Sequence, residues 1–181
     1  YFFHGGFRIA PGFLDRSITD RQLAQIDEQK TAYREAVGPD VGLMLDLSFS
    51  QRTEGYLRIA HRLEHLQLAW LELDINDPEA LGFIRRNCRT PIASLESLHG
   101  IAEYRPFLQG QTVDTCIVDP MWNGVWQSAR IAAFADAHET SQVLLCLSRD
   151  SREDVDAIED DLDVAGAGLD EVPRLGELVD R

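Results

Sequence analysis

The sequence predicts an α/β chain, an incomplete (β/α)8-type (TIM-like) barrel with parallel strands, and three observations carry that prediction. Short apolar runs alternate with helical patterns along most of the chain, and strands separated by helices pair in parallel through right-handed crossovers. The repeat is nearly constant: Asp46 to Glu72 spans 26 residues, Glu72 to Glu96 spans 24 and Glu96 to Asp119 spans 23. About six such units fit into the 181 residues, whereas a complete barrel needs about 250. An open doubly wound sheet is the alternative, but neither a dinucleotide-binding glycine turn nor a phosphate-binding P-loop is present.

Each element has a local reason. Phe7 to Ala10 is a short apolar strand. Thr19 to Val37 is a helix, with Leu23, Ile26, Tyr33 and Val37 at roughly helical spacing and Ser17 or Thr19 as its cap. Gly38-Pro39 ends it. Val41 to Leu47 is a strand whose apolar run predicts burial on both faces. Glu54 to Leu66 is a helix and Ala69 to Leu73 a strand. Asp77-Pro78 caps the next helix, with proline at its first position, and that helix runs to about Asn87. Pro91 to Ser94 is a strand, His99 to Leu108 a helix, Thr115 to Asp119 a strand, Val125 to Ala137 a helix and Gln142 to Leu147 a strand. After Ser148 the character changes to an acidic, polar stretch broken by Ala165-Gly166-Ala167-Gly168. The expected division is therefore a partial barrel domain over 1–147 and an unassigned acidic segment over 148–181.

Charge and composition exclude several classes. With 31 acids against 17 bases the net charge is −14, the opposite of the clustered positive charge that a nucleic-acid surface needs. The acid is concentrated in residues 150–181, which hold 12 acids and 3 arginines. No apolar run reaches the roughly 20 residues that span a bilayer, and Tyr1 to Ala10 has neither the basic start nor the apolar core of a secretory signal. The three cysteines, Cys88, Cys116 and Cys146, are odd in number and lie in or beside apolar stretches, as buried thiols in a reducing cytosol do. A cytoplasmic protein is expected. The start at Tyr1 with two phenylalanines after it predicts a chain that begins inside a longer product.

Four strands end in an acid: Asp46, Glu72, Glu96 and Asp119. In a parallel barrel these ends open on one face, where active sites lie. Carboxylates gathered there repel one another, and a hard divalent ion with oxygen ligands, Mg2+ above all, resolves the conflict. The competing reading is that each acid caps the helix that follows or pairs with an arginine. His61 and His65 stand four residues apart, but their setting is His-Arg-Leu-Glu-His and reads as a helix face. His138, at a helix end, reads as a surface residue near the helix dipole.

The motifs carry a resemblance. Glu35 to Val41 followed by Leu43-Met44-Leu45-Asp46, then Trp70-Leu71-Glu72, Thr90 to Ser97, and Val118-Asp119-Pro120-Met121-Trp122-Asn123-Gly124 together resemble the enolase superfamily, in its mandelate racemase/muconate lactonizing enzyme subgroup. The likeness covers about residues 7–140. It implies a barrel under an N-terminal capping domain, with Mg2+ held by Asp46, Glu72 and Glu96. It implies abstraction of the proton α to a carboxylate and a metal-stabilised enediolate. The Trp-Asn-Gly variant is most similar to acid-sugar dehydratases, so a sugar acid is the implied substrate and dehydration the implied outcome, with a racemase-like reaction beside it. Trp122 and Asn123, which closely follow Asp119, are candidates to line a substrate pocket, with packing of Trp122 on the barrel rim as the alternative reading. Ser48, two residues after Asp46 where the family often has a polar group, is the third candidate contact.

Two departures matter. Where such proteins place a basic lysine pair, this chain has Phe7-Arg8-Ile9-Ala10-Pro11. Arg8 stays protonated, a poor proton acceptor that can hold a carboxylate. Asp119 normally orients a histidine on the next strand, and Gln142 to Leu147 contains none. Arg8 and Asp119 are then the candidate catalytic residues, and the loss of a positioned base costs roughly 10²–10⁴-fold in rate. A catalytically silent barrel remnant, acting as a binding or assembly protein, is the second reading. The unpaired edges of an incomplete barrel predict a homo-oligomer.

Overall fold

The computed structural model describes residues 18–47 and 52–144. Arg8, Ser48, Cys146, the expected strand at Phe7 to Ala10, the end of the last expected strand and the acidic segment 148–181 lie outside the described residues. Among the described residues five helices and five strands alternate: α1 Asp20–Val37, β1 Met44–Asp46, α2 Thr53–Leu63 with a 3-10 turn at Glu64–Leu66, β2 Trp70–Glu72, α3 Pro78–Asn87, β3 Ile92–Ser94, α4 Gly100–Gln109, β4 Thr115–Val118, α5 Pro120–Asp136 and β5 Ser141–Leu144. All strand pairs are parallel and the order in the sheet is the order in the sequence. That is the arrangement of successive βα units in a barrel wall, and the chain folds as part of one.

Local chemistry explains the elements. Thr19 and Gln22 form a reciprocal capping box at the start of α1. Asp77 accepts from the Glu79 amide and Pro78 opens α3. Gly38 leaves α1 at φ 77°, a conformation that suits glycine. Each helix packs on the next, α1 on α2 through α4 on α5. Leu45, Leu71 and Ile92 on the strands meet Ile59, Leu63, Leu81, Ile84, Tyr104 and Leu108 on the helices in one buried core.

Two expectations need correction. The run Val41 to Leu47 is not buried on both faces: Leu43, Leu45 and Leu47 are buried, whereas Met44 and Asp46 are only half-buried. Alternation along a strand puts these two on the face away from the helices, and Trp70 and Glu72 share it through the register Met44 to Trp70 and Asp46 to Glu72. Burial on both faces belongs to β3 and β4 instead. The last helix starts at Pro120, five residues before the expected Val125, and bends at Gly124, where φ is 67°. Asp119-Pro120 is the same start signal as Asp77-Pro78, and the glycine hid it.

Candidate metal centre

The site is built on the C-terminal ends of three neighbouring strands. Asp46 is the last residue of β1 and stands in register with Glu72, the last residue of β2. The amide of Leu47 donates to the carbonyl of Glu72 at 3.1 Å, so the ladder holds these two ends together. Glu96 follows β3 by two residues, after Leu95 at φ 89°. Asp74, two residues beyond Glu72 in the segment between β2 and α3, joins them.

Electrostatics ties these carboxyl groups together at Glu72 and Asp74. Glu72 is pushed up to about 8, by burial first and then by the charges of Asp46, Glu96 and Asp74. Asp74 is pushed up to about 7, by burial and then by Asp46 and Glu96. Asp74 was missed in the sequence, where no motif marks it. The signal that could have found it is the two-residue period that returns to the side of Glu72.

Helix capping separates these acids from Asp119. The N-caps are Thr19, Arg52, Asp77, His99 and Asp119. None of Asp46, Glu72, Asp74 and Glu96 caps a helix. Asp119 does: it is 2% exposed, and its Oδ1 accepts from the Met121 amide at 2.6 Å. The capping reading therefore holds for one acid of the four that the sequence singles out.

Trp122 and Asn123 follow Asp119 at the start of α5. Asn123 ties the first turn of α5 to the start of α4: its Oδ1 accepts from the Gly100 amide at 2.7 Å and its Nδ2 donates to the Leu98 carbonyl at 3.0 Å. Its amide is thus engaged with the backbone at the start of α4. Trp122 is half-exposed and stacks on His99, with ring centroids 5.2 Å apart and planes 14° apart. Met121, Val125 and Trp126 beside it are exposed.

All four clustered donors are carboxylate oxygens, the set that a hard divalent cation such as Mg2+ prefers. Burial with mutual repulsion is the conflict that such a cation relieves. Among the described residues no three His, Cys, Asp or Glu side chains form a group that could hold an ion as they stand. The fit is one of donor chemistry and of placement on adjacent strands, not of a finished cage. His61 and His65 are spent elsewhere: His61 Nε2 lies 2.6 Å from the Asn87 carbonyl, and His65 contacts Thr31 and Asp27 at 3.3 Å.

Comparison with known proteins now adds a family. Residues 17–150 match the model of the family described as enolase C-terminal domain-like. The chain is 31% identical to the D-galactonate dehydratase family member RspA of Cellvibrio japonicus over 122 residues, 65% of this chain and 30% of that protein. It is 31% identical to the L-talarate/galactarate dehydratase of Salmonella typhimurium over 130 residues, 70% of this chain and 33% of that protein. Among solved structures, it is similar to a Burkholderia xenovorans strain LB400 protein provisionally named an L-alanine-DL-glutamate epimerase, bound to magnesium and fumarate. That match has a TM-score of 0.70 at 42% identity, over 72% of this chain and 32% of the other. The chain spans about a third of the length of the relatives it matches.

Proposed function

We propose, for a chain that belongs to the enolase C-terminal domain-like family, that it forms the divalent-cation half of an active site for sugar acids. The observation that carries the reading is the carboxylate group Asp46, Glu72 and Glu96 on three adjacent strand ends, none of them spent on a helix cap. These three would hold Mg2+, with Asp74 beside them. The ion, when bound, would supply Lewis-acid stabilisation of negative charge developing on a substrate carboxylate.

The chain's own residues would do the rest. Trp122, stacked flat on His99, would offer a face to the C–H side of the substrate. Arg8 would pair with a carboxylate through its fixed charge, and Ser48 would add a hydroxyl. Asp119 would move a proton only in competition with its hold on the Met121 amide. The sugar-acid class is supported by the names of the relatives, dehydratases of galactonate and of talarate/galactarate. The reaction proposed is removal of the proton α to the carboxylate, leading to dehydration.

One observation favours the second reading, a barrel portion that binds without turnover: Asp119 is committed as a cap. The test is titration calorimetry with Mg2+, joined to exchange of the α-proton of sugar acids in deuterated buffer. Metal binding with exchange supports the enzyme, and metal binding without exchange supports the silent form. The proposal is sunk if Asp46→Ala, Glu72→Ala and Glu96→Ala all leave Mg2+ affinity unchanged. We also propose 1–147 as the barrel portion, 148–181 as a separate acidic segment, a cytoplasmic location and self-association. No helix among the described residues is long and apolar enough to cross a membrane. The exposed Met121, Val125 and Trp126 support the association, and a monodisperse monomer in sedimentation counts against it.

A further inference from the structure

Four non-glycine residues among those described have positive φ, and one differs from the others in value and place. Gln67, Gln111 and Glu139 lie at φ 47–56°, the ordinary left-handed basin that polar residues visit after helices. Leu95 lies at φ 89°. It is a bulky apolar residue, 2% exposed, between the end of β3 and Glu96. A backbone held so far from its preferred regions persists only where the surroundings dictate it, and such residues gather at functional sites.

The surroundings are visible. The ladder between β2 and β3 runs through Leu71 donating to Pro91 at 2.8 Å and Leu73 donating to Ala93 at 3.0 Å. The next acceptor in that ladder is the Leu73 carbonyl, which lies between Glu72 and Asp74 in the chain. It takes the hydroxyl of Ser94, itself 1% exposed. The strand thus stops at Ser94 with its last acceptor satisfied by a side chain. Leu95 then reverses the backbone, and its carbonyl closes a turn by accepting from the Leu98 amide at 3.1 Å. A continued strand would alternate faces and carry Glu96 onward along β3. The turn leaves Glu96 near enough to the end of β2 for its charge to bear on Glu72 and Asp74.

We infer that Leu95 is a positioning residue whose left-handed backbone, anchored by the Ser94 hydroxyl on the Leu73 carbonyl, aims Glu96 at the carboxylates of β2. The inference rests on the reading of Glu96 as a metal ligand and goes beyond it: the residue that sets the third ligand is neither charged nor polar, and its backbone matters more than its side chain. Side-chain chemistry can separate the two roles. Glycine adopts positive φ freely but loses the buried side chain. Isoleucine keeps the buried volume, but its branched Cβ opposes positive φ.

The experiment is Mn2+ titration of the full chain, followed by electron paramagnetic resonance, for the parent, Leu95→Gly and Leu95→Ile, with thermal melts alongside. The expected result is Leu95→Gly within about 3-fold of the parent and Leu95→Ile weaker by ~10-fold or more, the scale of a lost supporting partner. Leu95→Ile equal to the parent, or Leu95→Gly weakened as much as Leu95→Ile, overturns the inference, because side-chain packing would then hold Glu96 or nothing local would. If Leu95→Ile does not fold, Leu95→Ala against Leu95→Gly repeats the comparison with a single methyl group: weaker binding by the alanine form supports the inference, and equal binding overturns it. If the parent binds no Mn2+, the proposed function fails by itself. Crystal structures of the parent and the variants then decide the positioning: a Glu96 carboxylate turned away from Glu72 in Leu95→Ile or Leu95→Ala supports it, and an unmoved one overturns it.

Discussion

The C-terminal edge of the sheet has two halves that use the same residue type in opposite ways. At β4 the strand-end acid is a structural group: Asp119 is buried, satisfied by the Met121 amide, and supported by Asn123 bridging to the start of α4. At β1 to β3 the strand-end acids do not stand at helix starts, whose N-cap positions are Arg52, Asp77 and His99, and their charges bear on Glu72. An acid at a helix start stabilises the fold through the orphan amides and the helix dipole. Acids gathered and buried away from helix starts repel one another, and a bound cation relieves that repulsion. A strand-end acid is therefore a functional signal only once its helix cap is found to be another residue.

The strongest way to break this contrast is Glu72→Gln. It removes a proposed ligand, and the loss of Mg2+ affinity is expected to exceed the ~10–100-fold typical of a supporting partner. Above about pH 8, where Glu72 is ionised, the same change removes one charge from the repelling group, so there the melting temperature without metal should hold or rise. A fall in stability with intact metal affinity would place Glu72 with Asp119 as a structural acid.

Lys30 sets a scale for a buried charge that serves neither half. It is 7% exposed on the inner face of α1, its ammonium is 4.8 Å from the Tyr33 ring centre, and burial lowers it from 10.5 to about 8. Between these two values the unfolded chain holds more protons than the folded one, so this group makes stability rise with pH over that window. Its cost is fully present below about 8 and gone above about 10.5. Cys88 and Cys116, pushed up by burial to about 11 and about 12, act in the opposite sense above pH 9. The contribution is therefore read as the difference between Lys30→Met and the parent in urea melts. That gap should narrow by about 3 kcal/mol between pH 7 and 11. A constant gap would mean that Lys30 keeps its ordinary affinity for the proton.

Asn123→Ala probes the structural half directly. It removes the acceptor for the Gly100 amide and the donor to the Leu98 carbonyl, at a cost of about 1–3 kcal/mol for stranded polar groups. Chemical denaturation measures that loss, and Mg2+ affinity should not move. Affinity that fell with stability would join the two halves into one unit.

The two halves also differ in how legible they were. Alternating apolar runs and the caps at Thr19 and Asp77 were readable because they follow from spacing within one segment. Asp46, Glu72 and Glu96 were readable because a constant repeat puts them at equivalent places. Asp74 was not, since no repeat marks it and only burial beside three other acids gives it a role. The Asn123 bridge was hidden because its partners lie about 25 residues away in the chain. The conformation of Leu95 was hidden because leucine advertises a core position and never a positive φ.

The finest test changes a single atom group. Asn and Asp are equally good N-caps, so Asp119→Asn should keep the Met121 contact and shift stability by less than ~0.5 kcal/mol, the range of a neutral substitution. Asp119→Ala removes the cap and should cost about 1 kcal/mol. If Asp119 is only structural, the asparagine form retains whatever α-proton exchange the parent shows, and the alanine form loses activity only in step with its stability. If Asp119 also moves a proton, the asparagine form loses exchange at unchanged stability, because an amide cannot accept the proton that a carboxylate can. A loss of that kind would carry the functional reading across β4 and join Asp119 to the chemistry of the other three strand ends.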